Sequence, residues 1–589
     1  MMKSKAGVFP FYLPLLFIAV LSACAHKLPE AGGALAEQDS SDLMDSHSAL
    51  TTADNVADYP KMELTGQMLY TFLLADIAAQ RGQTDLAAQG YIEMTRLTRD
   101  PRAARRAAQL AFESRNMEQA LQAFKMWNEL EPKAAMPKQM LATVLLSGGK
   151  LEEARPYLIE VLAADTNNTG KRFAQIYPLF ARYKDKVAVY AMLKALAQPY
   201  PDVAETHFVL AQAAEAANQH AEALQEVRVA RKQHPDWEVA ALLESQLLKE
   251  TAPEEALSVA KGFLSAFPDA NEVRLFYARF LLEQKQYPAS RTQFQKLLQT
   301  RPDNADLAFA IALLSIQMGE FERAETELKQ ALAFGKKDGA TVHYYLGQLK
   351  EAKKEIPAAL QEYQQVQDGE YAFPSRLRVA YLLAQTHKIA EARKVLQETT
   401  VKNPQQQEQL IVTEVQLLRE AELYEQGFQV ATKGLERLPN NQTLLYEAAM
   451  LADKLGKLSV SEELFRKLIK VAPEHAHAYN ALGYSMMERK ERLPEALKLV
   501  EKAYQLEPDD AAILDSMGWG NYLTGNLDKS IAFLRRAYAA FPDPEVAAHL
   551  GEVLWKQGGQ EEAKSIWQES LSKNPDSAVL KSVIKKFIP

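Results

Sequence analysis

From about residue 60 to the C-terminus, apolar residues return every three to four positions, the spacing of one face of an α-helix, in runs that come in pairs. Prolines punctuate the pairs at a near-constant interval. Pro201, Pro235, Pro268 and Pro302, then Pro404, Pro439, Pro473, Pro508, Pro542 and Pro575, lie 33 to 35 residues apart within each series. A fixed period of that length predicts a repeat architecture. Small residues hold set places inside it. Gly483, Gly518 and Gly551 fall at equivalent positions of three successive first helices, each after an apolar residue (Leu482, Met517, Leu550), and Ala496, Ser530 and Ala563 follow 12 or 13 residues later. A Gly or Ala there lets the second helix approach closely, and the small residue opening the second helix serves the same contact from the other side. Pro then stops the second helix, because it lacks an N–H and disfavours a helical residue before it.

These features resemble the tetratricopeptide repeat over nearly all of residues 67 to 575. The clearest units are Gln442 to Pro473, His475 to Pro508, Ala511 to Pro542 and Pro544 to Pro575, with good units upstream at Glu205 to Pro235 and Ala305 to Gly335. The resemblance implies an all-α fold, a right-handed α-solenoid of about fifteen helix pairs over residues 61–576. Some units depart from the pattern: the one ending near Asp165 lacks a closing Pro, Gly170 to Pro201 has Tyr177 and Val189 at the small positions, and residues 336–372 close on Asp368-Gly369. Residues 577–589 read as a cap helix, with Val579, Leu580, Val583, Ile584 and Phe587 on one face and Lys581, Lys585 and Lys586 elsewhere, as the end of an array requires.

The 589 residues exceed what one hydrophobic core supports, since cores stop growing near about 250 to 300 residues, and an array answers that. The single Cys rules out a disulfide framework and a thiolate metal site. Its place is informative. Lys3 and Lys5 precede an uncharged, apolar run from Ala6 to Ala23, a signal-peptide pattern over residues 1–23. Leu21-Ser22-Ala23-Cys24 resembles the bacterial lipobox, which implies cleavage before Cys24, acylation of that thiol and a membrane contact made by lipid. Ala25 after it implies sorting to the outer membrane, with the chain facing the periplasm. Residues 24–60 are rich in Ala, Gly, Ser, Asp and Thr with no aromatic before Tyr59, and read as a disordered tether reaching roughly 30–40 Å. Loss of Lys3 and Lys5 takes the formal charge from −8 to −10. An acidic chain offers no footprint for nucleic acid.

No catalytic motif emerges. H-E-x-x-H, G-x-S-x-G, C-x-x-C and a Walker-type loop are absent. Gly518-Trp519-Gly520 has no preceding strand, and Gly518 already has a packing role. His475 and His477, two apart, fall on different helix faces and read as a cap and a surface residue rather than metal ligands. The expectation is a chain without enzymatic activity, cofactor, metal or small-molecule substrate.

In a helix-pair array of this kind, function lies in side chains of the groove lined by the first helices. One residue past each packing Gly, and a turn to either side, stand Asn480 and Tyr484, Asp515, Trp519 and Tyr522, and Glu552 and Trp555. Two readings are open for Trp519 and Trp555: aromatic anchors for a partner, or core between adjacent repeats. Trp567, at a second-helix position, reads as core. The groove positions are neutral or acidic, which disfavours an acidic peptide and suits a basic or mixed surface. The runs Tyr479 to Tyr484, Asp515 to Trp519 and Ala547 to Trp555 resemble a family of large proteobacterial tetratricopeptide lipoproteins. That resemblance implies an adaptor that brings a periplasmic carboxyl-terminal processing protease together with cell-wall (peptidoglycan) hydrolases. A scaffold of an envelope assembly, secretion or exopolysaccharide export complex is the alternative on the same features.

Overall fold

The computed structural model describes residues 60–164, 168–181 and 183–588; Cys24, the signal-like segment and the tether lie outside them. Among the described residues there is no strand, and 31 α-helices and one short 3₁₀-helix follow one another. The all-α reading therefore holds. The helices form fifteen successive pairs, from Gly66–Gln80 with Thr84–Thr98 to Pro544–Gln557 with Gln560–Lys573, and end in the single helix Ala578–Phe587. Two compact units, residues 60–327 and 328–588, divide the array, with the boundary inside the helix Phe321–Ala333. Each unit is a stretch of α-solenoid in which every helix packs chiefly on its sequence neighbours.

In most pairs the turn between the first and second helix holds a residue in the left-handed region. Gly82, Gly149, Gly456, Gly525 and Gly558 take that place in some pairs, and Arg115, Asn218, Lys285, Lys354, His387, Glu422 and Lys490 in others. The amide after it bonds back across the turn, as Glu355 N does to Lys350 O at 2.8 Å and Lys457 N to Ala452 O at 2.8 Å, satisfying carbonyls that the helix end leaves open. Left-handed backbone costs a residue with a Cβ about 1–2 kcal/mol. Lys354 is exposed at φ 61°. Lys354→Gly is expected to stabilise its unit by about 0.5–1 kcal/mol, the strain relieved less the extra chain entropy of glycine, read as a rise in urea midpoint.

The glycines of the last three pairs sit at their expected contacts. A Cβ on Gly551 would stand 2.0 Å from Trp567 Nε1, on Gly518 2.4 Å from Leu534 Cγ, and on Gly483 2.6 Å from Val500 Cγ2. Second helices end ahead of their prolines, at Leu506 before Pro508, Ala540 before Pro542 and Lys573 before Pro575. Pro404 does not follow that rule. It is the first residue of the helix Pro404–Glu420, after the N-cap Asn403, whose side chain accepts from Gln406 N at 2.9 Å; a missing N–H is harmless there. In the fourth pair Pro178 interrupts the first helix, and Thr169–Ile176 gives way to the 3₁₀ turn Tyr177–Phe180. The terminal helix packs as a cap: Leu580 and Val583 are buried, and Ile584 and Phe587 lie against Trp567 and its neighbours. Val579 departs from the expected face and is 47% exposed.

Candidate functional site: a polar and aromatic face on the last three pairs

The first helices of the thirteenth, fourteenth and fifteenth pairs, Ala476–Glu488, Ala511–Leu523 and Pro544–Gln557, lie side by side. Each begins at a side-chain cap. His475 Nδ1 accepts from Ala478 N at 3.2 Å, Asp510 Oδ1 from Ile513 N at 2.9 Å, and Asp543 Oδ1 from Glu545 N at 2.8 Å. With the start of each helix fixed, residues about one period apart are brought face to face.

Asp515 and His549 are the centre of the face. Both carboxylate oxygens of Asp515 lie 3.0 Å from His549 Nδ1, and the two residues are 4% and 8% exposed. Trp519 stacks on the imidazole, with ring centroids 4.1 Å apart and planes at 19°, and Tyr522 leans on Trp519 at 5.1 Å. Tyr484, from two pairs upstream, donates its hydroxyl to Glu545 Oε1 at 2.8 Å and tilts against His549 at 6.4 Å. Tyr522 donates to Glu552 Oε1 at 3.2 Å, which also accepts from Lys586 Nζ of the cap helix at 2.8 Å.

Burial disfavours a charged imidazole, but the negative charge of Asp515, then Glu545 and Glu488, outweighs it and raises the His549 pKa above the ordinary histidine value. Burial, then the Glu545 carboxylate, raises the Tyr484 hydroxyl. The Tyr522 hydroxyl is pushed up to about 12 by burial and by Glu552. Both tyrosines are therefore donors at every physiological pH. The site thus combines carboxylates held by His549, Tyr484, Tyr522 and Lys586, one buried imidazole, and the half-buried rings of Trp519 and Tyr522.

A tetratricopeptide repeat-containing protein of Pseudomonas aeruginosa is 35% identical over 489 residues, which cover 82% of this chain and 82% of that protein. The chain belongs to the tetratricopeptide repeat family. Tetratricopeptide repeat models match residues 247–305, 291–349 and 446–511. The human protein O-mannosyl-transferase TMTC1 is 24% identical over 169 residues, 28% of this chain and 19% of that protein. Among solved structures, a thermophilic TPR protein of Thermus thermophilus is 23% identical with a TM-score of 0.28, covering 30% of this chain and 97% of that one. MamA of Desulfovibrio magneticus is 20% identical with a TM-score of 0.25, covering 29% and 97%.

Within these TPR units the residues singled out from the sequence separate into three groups. Tyr484, Asp515, Trp519, Tyr522 and Glu552 converge on one face. Asn480 is half-buried on the same helix as Tyr484, one turn earlier, and its Oδ1 has no hydrogen-bond partner among the described residues. Trp555 joins the packing of the last pair instead, stacked on Trp567 at 5.8 Å and 23° and tilted on Phe587 at 5.8 Å. The cap helix packs on it, and like Trp519 it stays half-buried against its neighbouring core. His549 and Glu545 were missing from the candidate set. The signal for His549 was present: it follows Asp515 by 34 residues, one TPR period, and precedes Glu552 by three on the same helix face.

The paired histidines also separate. His475 is the N-cap and stacks on Tyr446 at 5.5 Å, while half-buried His477 faces Glu507 at 3.6 Å with Asp510 near, whose carboxylate already caps the next helix. Burial and the neighbouring His477 lower the His475 pKa, which keeps Nδ1 an acceptor. A depressed histidine pKa makes this cap's contribution present above about pH 6.5 and lost as pH falls through the lowered value. His475→Ala is expected to cost about 1 kcal/mol at pH 7.5 and less at pH 5, and His475→Asn to keep the cap at both, as denaturant midpoints at the two pH values will show.

Proposed function

We propose that the chain is a lipid-anchored, non-catalytic adaptor of the cell envelope, tethered to the outer membrane through acylated Cys24 and facing the periplasm. In this reading it brings a carboxyl-terminal processing protease together with peptidoglycan hydrolases that the protease cuts. The observation that carries it is the face on the last three pairs. Acidic and aromatic side chains converge there beyond what helix packing needs, on the same segments whose sequence resembles the adaptor lipoproteins. The relation to a TPR protein of Pseudomonas aeruginosa over most of both chains supports a protein-binding role. The lipobox-like Leu21-Ser22-Ala23-Cys24 supports the anchor.

Two experiments test it. Labelled palmitate is expected on the chain and absent from Cys24→Ser, with the label in the outer-membrane fraction; an unlabelled chain in the soluble fraction would refute the anchor. For the face, Trp519→Ala and Tyr522→Ala are expected to weaken partner capture at least ten-fold while shifting thermal unfolding little, because both rings are only half-buried. Loss of binding that tracks a fall of several degrees in Tm would assign them to packing instead.

A further inference from the structure

Spacing parts His477 from His475, but the fold brings two carboxylates to His477 from other elements. His477 lies in the first turn of the helix Ala476–Glu488, Glu507 is the C-cap of the helix Leu493–Leu506, and Asp510 is the N-cap of the helix Ala511–Leu523. His477 Nε2 is 3.6 Å from Glu507 Oε2, and one ligand atom from each of the three residues lies within 4.8 Å of the other two. Glu507 is exposed and the other two are half-buried, so an ion in solution reaches all three.

The arrangement is held in place and its charge is not cancelled. Asp510 Oδ1 accepts from Ile513 N at 2.9 Å, which fixes the carboxylate and leaves Oδ2 without a hydrogen-bond partner among the described residues. Glu507 and Asp510 stand three residues apart across Pro508, whose ring fixes φ and limits how far they can separate. Among the described residues no Lys or Arg pairs with either of them. Arg536 comes to the same turn but is engaged by Asp509 Oδ1 at 3.3 Å and by Pro508 O at 3.0 Å. The donor set selects among cations. Ca²⁺ and Mg²⁺ take about six or more oxygen ligands, which one imidazole and two carboxylates do not supply. Zn²⁺ takes nitrogen and oxygen ligands at about 2.0–2.2 Å in a tetrahedron, two corners of which stand about 3.4 Å apart, close to the 3.6 Å between His477 and Glu507.

We propose that His477, Glu507 and Asp510 bind one Zn²⁺ ion, through the imidazole Nε2, the Glu507 carboxylate and Asp510 Oδ2, with water in the fourth position. The ion ties the first helix of the thirteenth pair to the end of its second helix and to the start of the fourteenth pair. It thereby stabilises the two pairs that carry Tyr484, Asp515 and Trp519, since a ligand of the folded chain alone shifts unfolding in its favour.

Zn²⁺ alone is the probe, titrated calorimetrically into the full chain after chelation of any metal. The chain is expected to bind it at micromolar Kd or tighter, and His477→Ala and Asp510→Asn are each expected to weaken that site at least ten-fold. Asparagine caps a helix as well as aspartate does, so Asp510→Asn without metal is expected to unfold like the unaltered chain and to lose only the rise in Tm that Zn²⁺ produces. His475→Ala, which removes the neighbouring imidazole, is expected to leave the affinity unchanged. Ca²⁺ or Mg²⁺ in about hundred-fold excess is expected not to displace the ion. No binding, or equal binding by His477→Ala, would overturn the proposal, as would displacement by Ca²⁺, which would mark a plain patch of surface carboxylates. Weakening in His477→Ala with none in Asp510→Asn would overturn the three-residue site and leave His477 and Glu507 as an ordinary ion pair.

Discussion

Gly551→Ala is expected to destabilise the last helix pair by about 3 kcal/mol, at the upper end of what overpacking costs. The added methyl would stand 2.0 Å from Trp567 Nε1 and 2.3 Å from Trp567 Cε2. The indole has no room to yield, being fully buried between Trp555 and Phe587. The damage should stay local, because each pair of such an array leans mainly on its neighbours. Amide exchange is therefore expected to speed up across residues 544–587 and to remain unchanged in the first unit. Gly262→Ala is the matched control. Gly262 sits inside the helix Pro253–Ala266 with open space where its Cβ would be, so alanine there is expected to stabilise by about 0.5–1 kcal/mol. Equal effects at the two glycines would mean that helix propensity, not the approach of the paired helices, governs these positions.

Asp515→Asn has the second large effect, and it carries a pH signature. The variant keeps the shape of the carboxylate and removes the charge that offsets the burial of His549. About 3 kcal/mol of stability is expected to go where the imidazole is protonated, the scale for breaking a buried pair. The sign follows from the raised histidine pKa. Stabilisation by the pair is fully present below about pH 6.5 and fades as pH rises through the raised value, so the gap between native chain and variant should be widest near pH 6 and narrow as pH climbs through that value. Histidine NMR is expected to find His549 titrating above the ordinary range in the native chain and below it in Asp515→Asn, where burial acts with the charge of Asp515 gone. An unchanged titration would show that Glu545 and Glu488, not Asp515, hold the proton on this ring.

The repeat was legible in the sequence because its markers are steric. A glycine facing an indole and a proline after a helix end leave a period that survives wide variation elsewhere. The same markers misled where one residue type has two uses. Pro404 keeps the interval yet opens a helix, and Pro178 breaks one, since proline fits both the first turn and the terminus. The turns inside the pairs were hidden for a different reason. Seven of them place residues such as Lys354 and Glu422 in a backbone region that marks itself in sequence only when glycine holds it. At the candidate site, helical spacing located Tyr484, Asp515, Trp519, Tyr522 and Glu552. It missed His549 because the partner of Asp515 comes from the neighbouring repeat. Trp555 looked like its counterparts in other units, and only the cap helix, which no internal repeat possesses, distinguishes it.

In the proposed function the face built on Asp515, Trp519 and His549 holds a protein partner of the envelope. The most direct test is mass spectrometry of proteins captured from envelope extract on the full chain and on its Trp519→Ala variant side by side. A PDZ-containing serine protease or peptidoglycan hydrolases are expected to be retained by the native chain and depleted at least ten-fold on the variant. Recovery of neither class, or equal recovery on both chains, would contradict it.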